Sequence, residues 1–371
     1  MRYEKMKSFI VMDIVRDALK YDDTIHFEIG QPDLNPSPKV KKSLKKALKD
    51  DKFAYTESLG LLELREKIVK HYKKTYGVKI DSSQVLLTPG TSGAFLVAYT
   101  LTLKHKQSLG LSDPSYPCYK NFANMLDINP CFMDIDKSTN YELTKSHLLG
   151  QDINALQISS PCNPTGNLYS KDNLQELIAY CDANDIAFIS DELYHGLTYE
   201  ENAHSALEFS DEAFVINGFS KYYCMPGLRL GWIIVPKSLD RQAEIIAQNI
   251  FISAPTLSQY AALEAFDDEY LKTIKDIFKE RRDYLYKELN EIFDVDAKPD
   301  GAFYLWANVS KYTDDSFAFA KELLENIHIA TTPGKDFGAN NTHEYLRFAY
   351  TRDINHMREG IKRLKEYLKS R

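Results

Sequence analysis

Asn217–Trp232 reads N-G-F-S-K-Y-Y-C-M-P-G-L-R-L-G-W. A short apolar run, Ala213–Ile216, precedes it and has the composition of a buried strand. Lys221 stands among aromatic and small residues rather than in a charge run. Desolvation there disfavours an ammonium, and a neutral amine attacks carbonyls. Arg229 lies between Leu228 and Leu230, near Trp232, and a guanidinium in apolar company requires an anion beside it. Gly227 and Gly231 mark tight turns or close backbone approach. An amine nucleophile next to an anion clamp points to an aldehyde cofactor that carries a phosphate.

Working outward, strand-like runs alternate with helical periodicity. Val85–Leu87 leads through Thr88-Pro-Gly into a helix over Ser92–Leu103. Ser108–Ser112 ends at Asp113-Pro-Ser-Tyr116-Pro, and Ala155–Ser159 ends at Ser160-Pro-Cys-Asn163-Pro-Thr-Gly166. Ser170 caps a helix with apolar Leu174, Leu177, Ile178 and Cys181 at helical spacing. Ile186–Ile189 ends at Asp191-Glu-Leu-Tyr194. This alternation predicts an α/β domain with a mainly parallel sheet flanked by helices. The loops rich in Gly, Pro, Asn, Asp and Tyr all begin where a buried strand ends, which is where open α/β sheets bind ligands.

Upstream, helices are expected over 8–20, from Ser37 or Pro38 to Asp50, and from Leu62 to Tyr76, with a strand over Ile25–Ile29. Beyond Phe266 come a charged helix (Asp268–Phe293), Gly301–Trp306, a helix near Ser316–Glu325, a strand over Tyr345–Thr351 and a last helix, Asn355–Lys369. That mixture predicts a smaller α+β domain. The expected division is 40–266 for the large domain, with 1–39 and 267–371 forming the small one.

The chain has 371 residues and a net charge of -7, which argues against nucleic-acid and anionic-membrane binding. The lysines of 39–52 alternate with apolar residues at helical spacing and read as a solvated helix face. Five scattered cysteines without metal spacing fit reduced thiols in the cytoplasm. No secretory leader or membrane-spanning run is recognisable. The histidines form no ligand set, so no metal is expected.

The string around Lys221 resembles the cofactor-attachment region of the class I/II aminotransferases, the fold-type I pyridoxal 5'-phosphate enzymes. Small, apolar and small residues (Gly218, Phe219, Ser220) precede the lysine, and Arg-Leu-Gly follows eight residues on. The likeness runs from Gly30 in I-G-Q-P-D to Arg347 in Y-L-R-F-A-Y. It implies that Lys221 carries the cofactor as a Schiff base and moves a proton as base and then acid. Asp191 keeps the ring nitrogen protonated and Tyr194 bonds the phenolic oxygen. Thr91, Ser92 and Gly93, at a strand-to-helix turn that suits phosphate, bind the phosphate with Ser220 and Arg229. Tyr116 stacks on the ring, while Asn163 in N-P-T-G meets the phenolic oxygen and the substrate carboxylate. Arg347 and Gly30 receive that carboxylate. Tyr55, in Y-x-x-x-x-G-x-x-x-L-R, reaches the neighbour's phosphate, which implies a homodimer with shared sites. Gly218 departs from the pattern, because many relatives place a phosphate-binding serine there. Asp113–Pro114 and Asn163–Pro164 are candidates for cis bonds.

The reading is an aminotransferase that moves an amino group from an L-amino acid to a 2-oxo acid. A carbon–sulfur β-lyase on the same scaffold is the alternative, since the cofactor residues do not separate the two. A DNA-binding regulator lacks room for its extra module before Gly30. No residue identifies the amino donor.

Overall fold

A computed structural model of the chain describes residues 2–370. The first third holds α1 (Ile10–Ala18), β1 (Ile25–His26), α2 (Pro38–Lys49), α3 (Leu62–Tyr76), β2 (Val85–Thr88) and α4 (Gly90–Thr102). Then come β3 (Ser108–Asp113), α5 (Cys118–Met125), β4 (Asn129–Asp134), β5 (Ala155–Ser159), β6 (Ala187–Asp191), β7 (Phe214–Gly218) and β8 (Gly231–Ile234). The C-terminal part contributes β9 (Asp294–Val295), β10 (Tyr304–Asn308), β11 (Ile329–Ala330), β12 (Thr332–Pro333) and β13 (Tyr345–Ala349). Helices Lys171–Ala183, Asp268–Asn290, Ser316–Ile327 and Ile354–Lys369 lie close to their expected places.

Seven strands form the main sheet in the order β2-β8-β7-β6-β5-β3-β4. All neighbouring pairs are parallel except those of β8, which runs antiparallel to β2 and β7. The reversal brings the chain back, so that the start of β8 lies at the carboxyl ends of the other strands. Leu86, Ile189, Ile216 and Ile233 are fully buried with α4 on one side, as expected for strands covered on both faces. A four-stranded antiparallel sheet, β12-β13-β10-β9, stands apart. The first strand pairs with one near the far end of the chain, Ile25 against Ile329 and His26 against Ala330.

One expectation needs correction, and two strands were not expected. The strand expected over Ile25–Ile29 is only two residues long, because after the Phe27 amide, which still donates to Ala330 O, the backbone turns to other partners: Ala349 N–H donates to Phe27 O and the Thr351 hydroxyl to Ile29 O. β4 was not foreseen, since it is an edge strand with Asn129 and Asp134 exposed and shows no run of buried residues. Nor was β8, whose Gly-Trp-Ile-Ile merges with the motif before it. Ser37 and Ser170 cap their helices as expected. The lysines of α2 do form a solvated face, with Lys39 paired to Asp267 at 2.8 Å.

Candidate active site

The carboxyl ends of the main sheet and the start of α1 enclose a cavity of about 650 Å³. Crossing the sheet from the β2 edge, its walls carry Thr91 and Ser92 after β2, Arg229 before β8, Ser220 and Lys221 after β7, Asp191 at the end of β6, Asn163 after β5 and Tyr116 after β3. Gly30, Tyr194 and Arg347 complete the set. Two of the residues picked from sequence lie elsewhere. Gly93 is buried inside the first turn of α4, where an added Cβ would press on Pro89 Cδ at 3.0 Å. Tyr55 is 77% exposed on the outer surface. His195, next to Tyr194, also points away and bonds the Tyr76 hydroxyl at 2.7 Å.

The turn into α4 is shaped by Gly90, which adopts a positive φ of 70°. A Cβ there would stand 2.6 Å from Arg229 Nη2, so only glycine lets the guanidinium lie over the helix start. Free amides, two hydroxyls and a cation therefore meet at one end of the cavity, an arrangement suited to a dianion. Arg229 differs from its expected setting. Its side chain is exposed rather than packed among Leu228, Leu230 and Trp232, with Nη1 donating to Pro226 O at 3.2 Å. Its anion is sought across the cavity rather than in the core. A Cβ at Gly218 would stand 3.1 Å from Thr91 Cγ2 and 3.2 Å from Gly231 Cα, which disfavours a serine at that position.

In the middle of the sheet Asp191 is 3% exposed. Tyr119 donates its hydroxyl to Oδ2 at 2.5 Å, and the Leu193 amide donates to Oδ1 at 3.1 Å. Burial pushes the carboxyl up to about 6, against the pull of Tyr119, Leu193 and Lys221. A group with a basic ring nitrogen would find a fixed anion here. Lys221 Nζ donates to Gly30 O at 2.6 Å. Burial first, then Arg347 and Arg229, lower its pKa to about 8, while Asp191 opposes them. Tyr194 shares a 2.8 Å hydrogen bond with Tyr304.

These shifts set the sign of one stability effect. An unfolded lysine titrates near 10.5 and the folded Lys221 near 8, so its charge destabilises the cofactor-free fold fully below pH 8. The penalty fades between 8 and 10.5. Lys221→Met is therefore expected to raise the Tm of the cofactor-free protein by a few degrees at pH 7, and by less at pH 10. A calorimetric scan at the two pH values checks this.

At the opposite end, Arg347 is 5% exposed. Nη1 donates to Asn163 Oδ1 at 2.8 Å, and Nη2 donates to Glu28 O at 2.6 Å and Thr332 Oγ1 at 3.2 Å. Tyr304 and Phe337 cover its faces, with ring centroids 4.3 and 4.9 Å from Cζ. Nε has no partner, and among the described residues no carboxylate lies within 4.0 Å of the guanidinium. Asp113–Pro114 and Asn163–Pro164 are cis, as is Ser160–Pro161.

Sequence reasoning missed Tyr119, Tyr304, Phe337 and the α1 residues Val11, Met12 and Val15, which also line or brace the cavity. Tyr119 alone offered a signal, one helical turn beyond Tyr116.

The chain resembles known proteins along almost its whole length. The chain is 37% identical to the (5-formylfuran-3-yl)methyl phosphate transaminase of Methanocaldococcus jannaschii, covering 99% of this chain and 98% of that one. It is 33% identical to the valine–pyruvate aminotransferase of Mycobacterium tuberculosis, covering 98% and 96%. The crystal structure of an aminotransferase from Mycobacterium tuberculosis superposes with a TM-score of 0.96 at 32% identity, covering 100% of this chain and 99% of that one. Residues 22–364 match the family model Aminotransferase class I and II. With a lysine, a buried carboxylate and an anion-binding helix start facing one cavity, the chain belongs to the class I and II aminotransferases and works with pyridoxal 5'-phosphate.

Proposed function

We propose that this aminotransferase uses Lys221, Asp191 and Arg347 as the core of its site and takes L-amino acids and 2-oxo acids in turn. The observation that carries the assignment is the buried Arg347, a cation without a carboxylate partner. Such a group is stable only if an anion arrives, and a planar guanidinium receives a carboxylate through paired N–H bonds. Asn163, already bonded to Nη1, fixes the orientation.

Pyridoxal phosphate, when bound, supplies an aldehyde for the amino group and an electron sink for the Cα bond. Lys221 Nζ, neutral above about pH 8, would hold the cofactor through its aldehyde and, once free, would serve as the base and then the acid for the substrate Cα proton. Asp191 would keep the ring nitrogen protonated, with Tyr119 holding the carboxylate in place. Thr91, Ser92, Ser220 and Arg229 would hold the phosphate, and Tyr116 would cover the ring. Tyr194, whose movement its partner Tyr304 limits, would serve the phenolic oxygen.

Arg347→Ala removes a buried charge-assisted clamp. KM for amino and oxo acids is expected to rise by roughly 10²–10³-fold, with kcat changed less. Unchanged KM values for both substrates would exclude the carboxylate assignment.

The same reading makes the protein a homodimer that works in the cytoplasm. Tyr55, Phe53 and Leu62 are exposed apolar or aromatic groups in one region of the chain. Arg65 ties that loop down through Gly60 O at 3.0 Å and Glu57 at 2.8 Å. Tyr55 then completes the neighbour's phosphate site. Tyr55→Phe is expected to weaken cofactor binding about tenfold, the loss of a hydrogen bond to a charged group. Equilibrium dialysis on a dimer verified by sedimentation tests this, and a monomer with full activity contradicts it. The division into 40–266 and 1–39 with 267–371 is retained; the core shared by Ile25, Phe27, Leu346 and Phe348 supports joining the two ends. No helix among the described residues is long and apolar enough to cross a membrane.

A further inference from the structure

The start of α1 is held by a residue more than three hundred positions away. Phe9, its N-cap, gives no side-chain bond to the helix. Instead, the Ile10 amide donates to Asp336 Oδ1 at 3.0 Å and the Val11 amide to Oδ2 at 3.2 Å. A carboxylate at this position satisfies two free amides and faces the positive helix end. Asp336 is itself buried, and burial raises its pKa, while Arg347 and Lys120 lie near enough to oppose the rise.

The stretch that carries Asp336 also touches the carboxylate-binding arginine twice. Thr332 Oγ1 accepts from Arg347 Nη2, and Phe337 covers one guanidinium face. On the other side, Phe9 stacks on Tyr116 with centroids 6.4 Å apart and planes 9° apart. The Lys7 backbone and the Asn121 side chain exchange two hydrogen bonds, 3.2 and 3.0 Å long. The helix is thus fixed at its start between two walls of the cavity. Ile14 and Ala18 pack with Leu324 and Ala330, which leaves Val11, Met12 and Val15 facing the cavity.

Of the cavity's charged groups, Asp191, Lys221, Arg229 and Arg347 already have roles, and the Glu28 carboxylate is fully buried behind the wall, one oxygen bonded to His26 Nδ1 at 2.8 Å and the other without a partner. What remains for a substrate side chain is the apolar surface of α1, with Ile29 and the neutral Gln31 nearby. We propose that Asp336 is a positioning residue for substrate selection: by holding α1 it fixes Val11, Met12 and Val15 as an apolar wall that favours donors with medium or large apolar side chains. This rests on Arg347 taking the carboxylate, since that contact sets which way the side chain points.

The test uses the cofactor-loaded enzyme with L-leucine and L-alanine as donors, in wild type, Asp336→Ala and Asp336→Asn. Wild type is expected to prefer leucine. Asp336→Ala raises KM for leucine about tenfold and for alanine less than about twofold, with kcat for alanine unchanged. Hydrogen exchange at residues 10–15 speeds up about tenfold, as expected for loss of a helix cap. Asp336→Asn lies between, because one oxygen remains to accept one amide. A wild-type preference for alanine, an unchanged leucine-to-alanine KM ratio, or wild-type exchange in α1 each overturns the proposal. If Asp336→Ala does not fold, Asp336→Asn carries the same comparison. Failure of the Arg347 assignment appears separately, as normal KM values in Arg347→Ala, while exchange in α1 still reports on the contact.

Discussion

Lys221→Ala is expected to lower kcat for transamination by at least ~10²–10⁴-fold, the usual contribution of a positioned proton-transfer group. The loss has two parts. On the proposed reading the variant would no longer attach the cofactor covalently, and no other amine lines the cavity among the described residues. A guanidinium offers donors and no acceptor, which rules out Arg229 and Arg347, and the tyrosines are poor bases because burial raises their pKa values, as for Tyr116 and Tyr194. Cofactor retention is expected to fall only moderately, since the helix start and Arg229 still hold the phosphate. Single-turnover mixing of the loaded variant with amino acid, followed by cofactor absorbance, separates binding from proton transfer. Added methylamine is expected to restore part of the rate. A variant that turns over at even a tenth of the wild-type rate would remove Lys221 from the mechanism.

Asp191→Asn carries the second large effect. Asparagine has the same shape and still accepts the Tyr119 hydroxyl, but it holds no charge opposite the ring nitrogen. A fall in kcat of roughly 10²–10³-fold is expected, comparable to the removal of one preorganised electrostatic partner. The wild type also predicts a pH limb. In the cofactor-free chain the carboxyl ionises above about 6, and a positive ring nitrogen favours the ionised form further. Activity in the wild type is therefore expected to decline at or below pH 6, and this limb should vanish in the asparagine variant. A profile of kcat against pH from 5 to 8 in both proteins decides the matter; an identical acid limb in each would assign it to another group.

The parts of the site legible in sequence share a local signature. Asp191 ends a buried strand, and Asn163 and Lys221 follow closely after one, each within a short motif; the alternation of strands and helices places strand ends together. Arg347 was legible because one cation interrupts an apolar strand. Arg229 was read in the right place but in the wrong surroundings, since its exposure depends on Gly90 and on the reversal of β8. Tyr304, Phe337 and Asp336 act through tertiary contacts, with Tyr194, Arg347 and the start of α1 respectively, and nothing in their neighbours signals this. The same holds for the shortness of β1, which is set by bonds to β13 rather than by its own residues.

The pairing of β1 with β11 has a consequence for biosynthesis. A ribosome completes every strand of the main sheet by Ile234, yet Ile25 and His26 must wait for Ile329 and Ala330. At ordinary synthesis rates that interval lasts roughly 5–20 s. Throughout it, Phe27 and Ile25 belong to a nascent chain with no partner to cover them. The segment around Ile25, synthesised long before the main sheet is complete, thus waits for strand partners made after it, and a chaperone has that interval in which to bind.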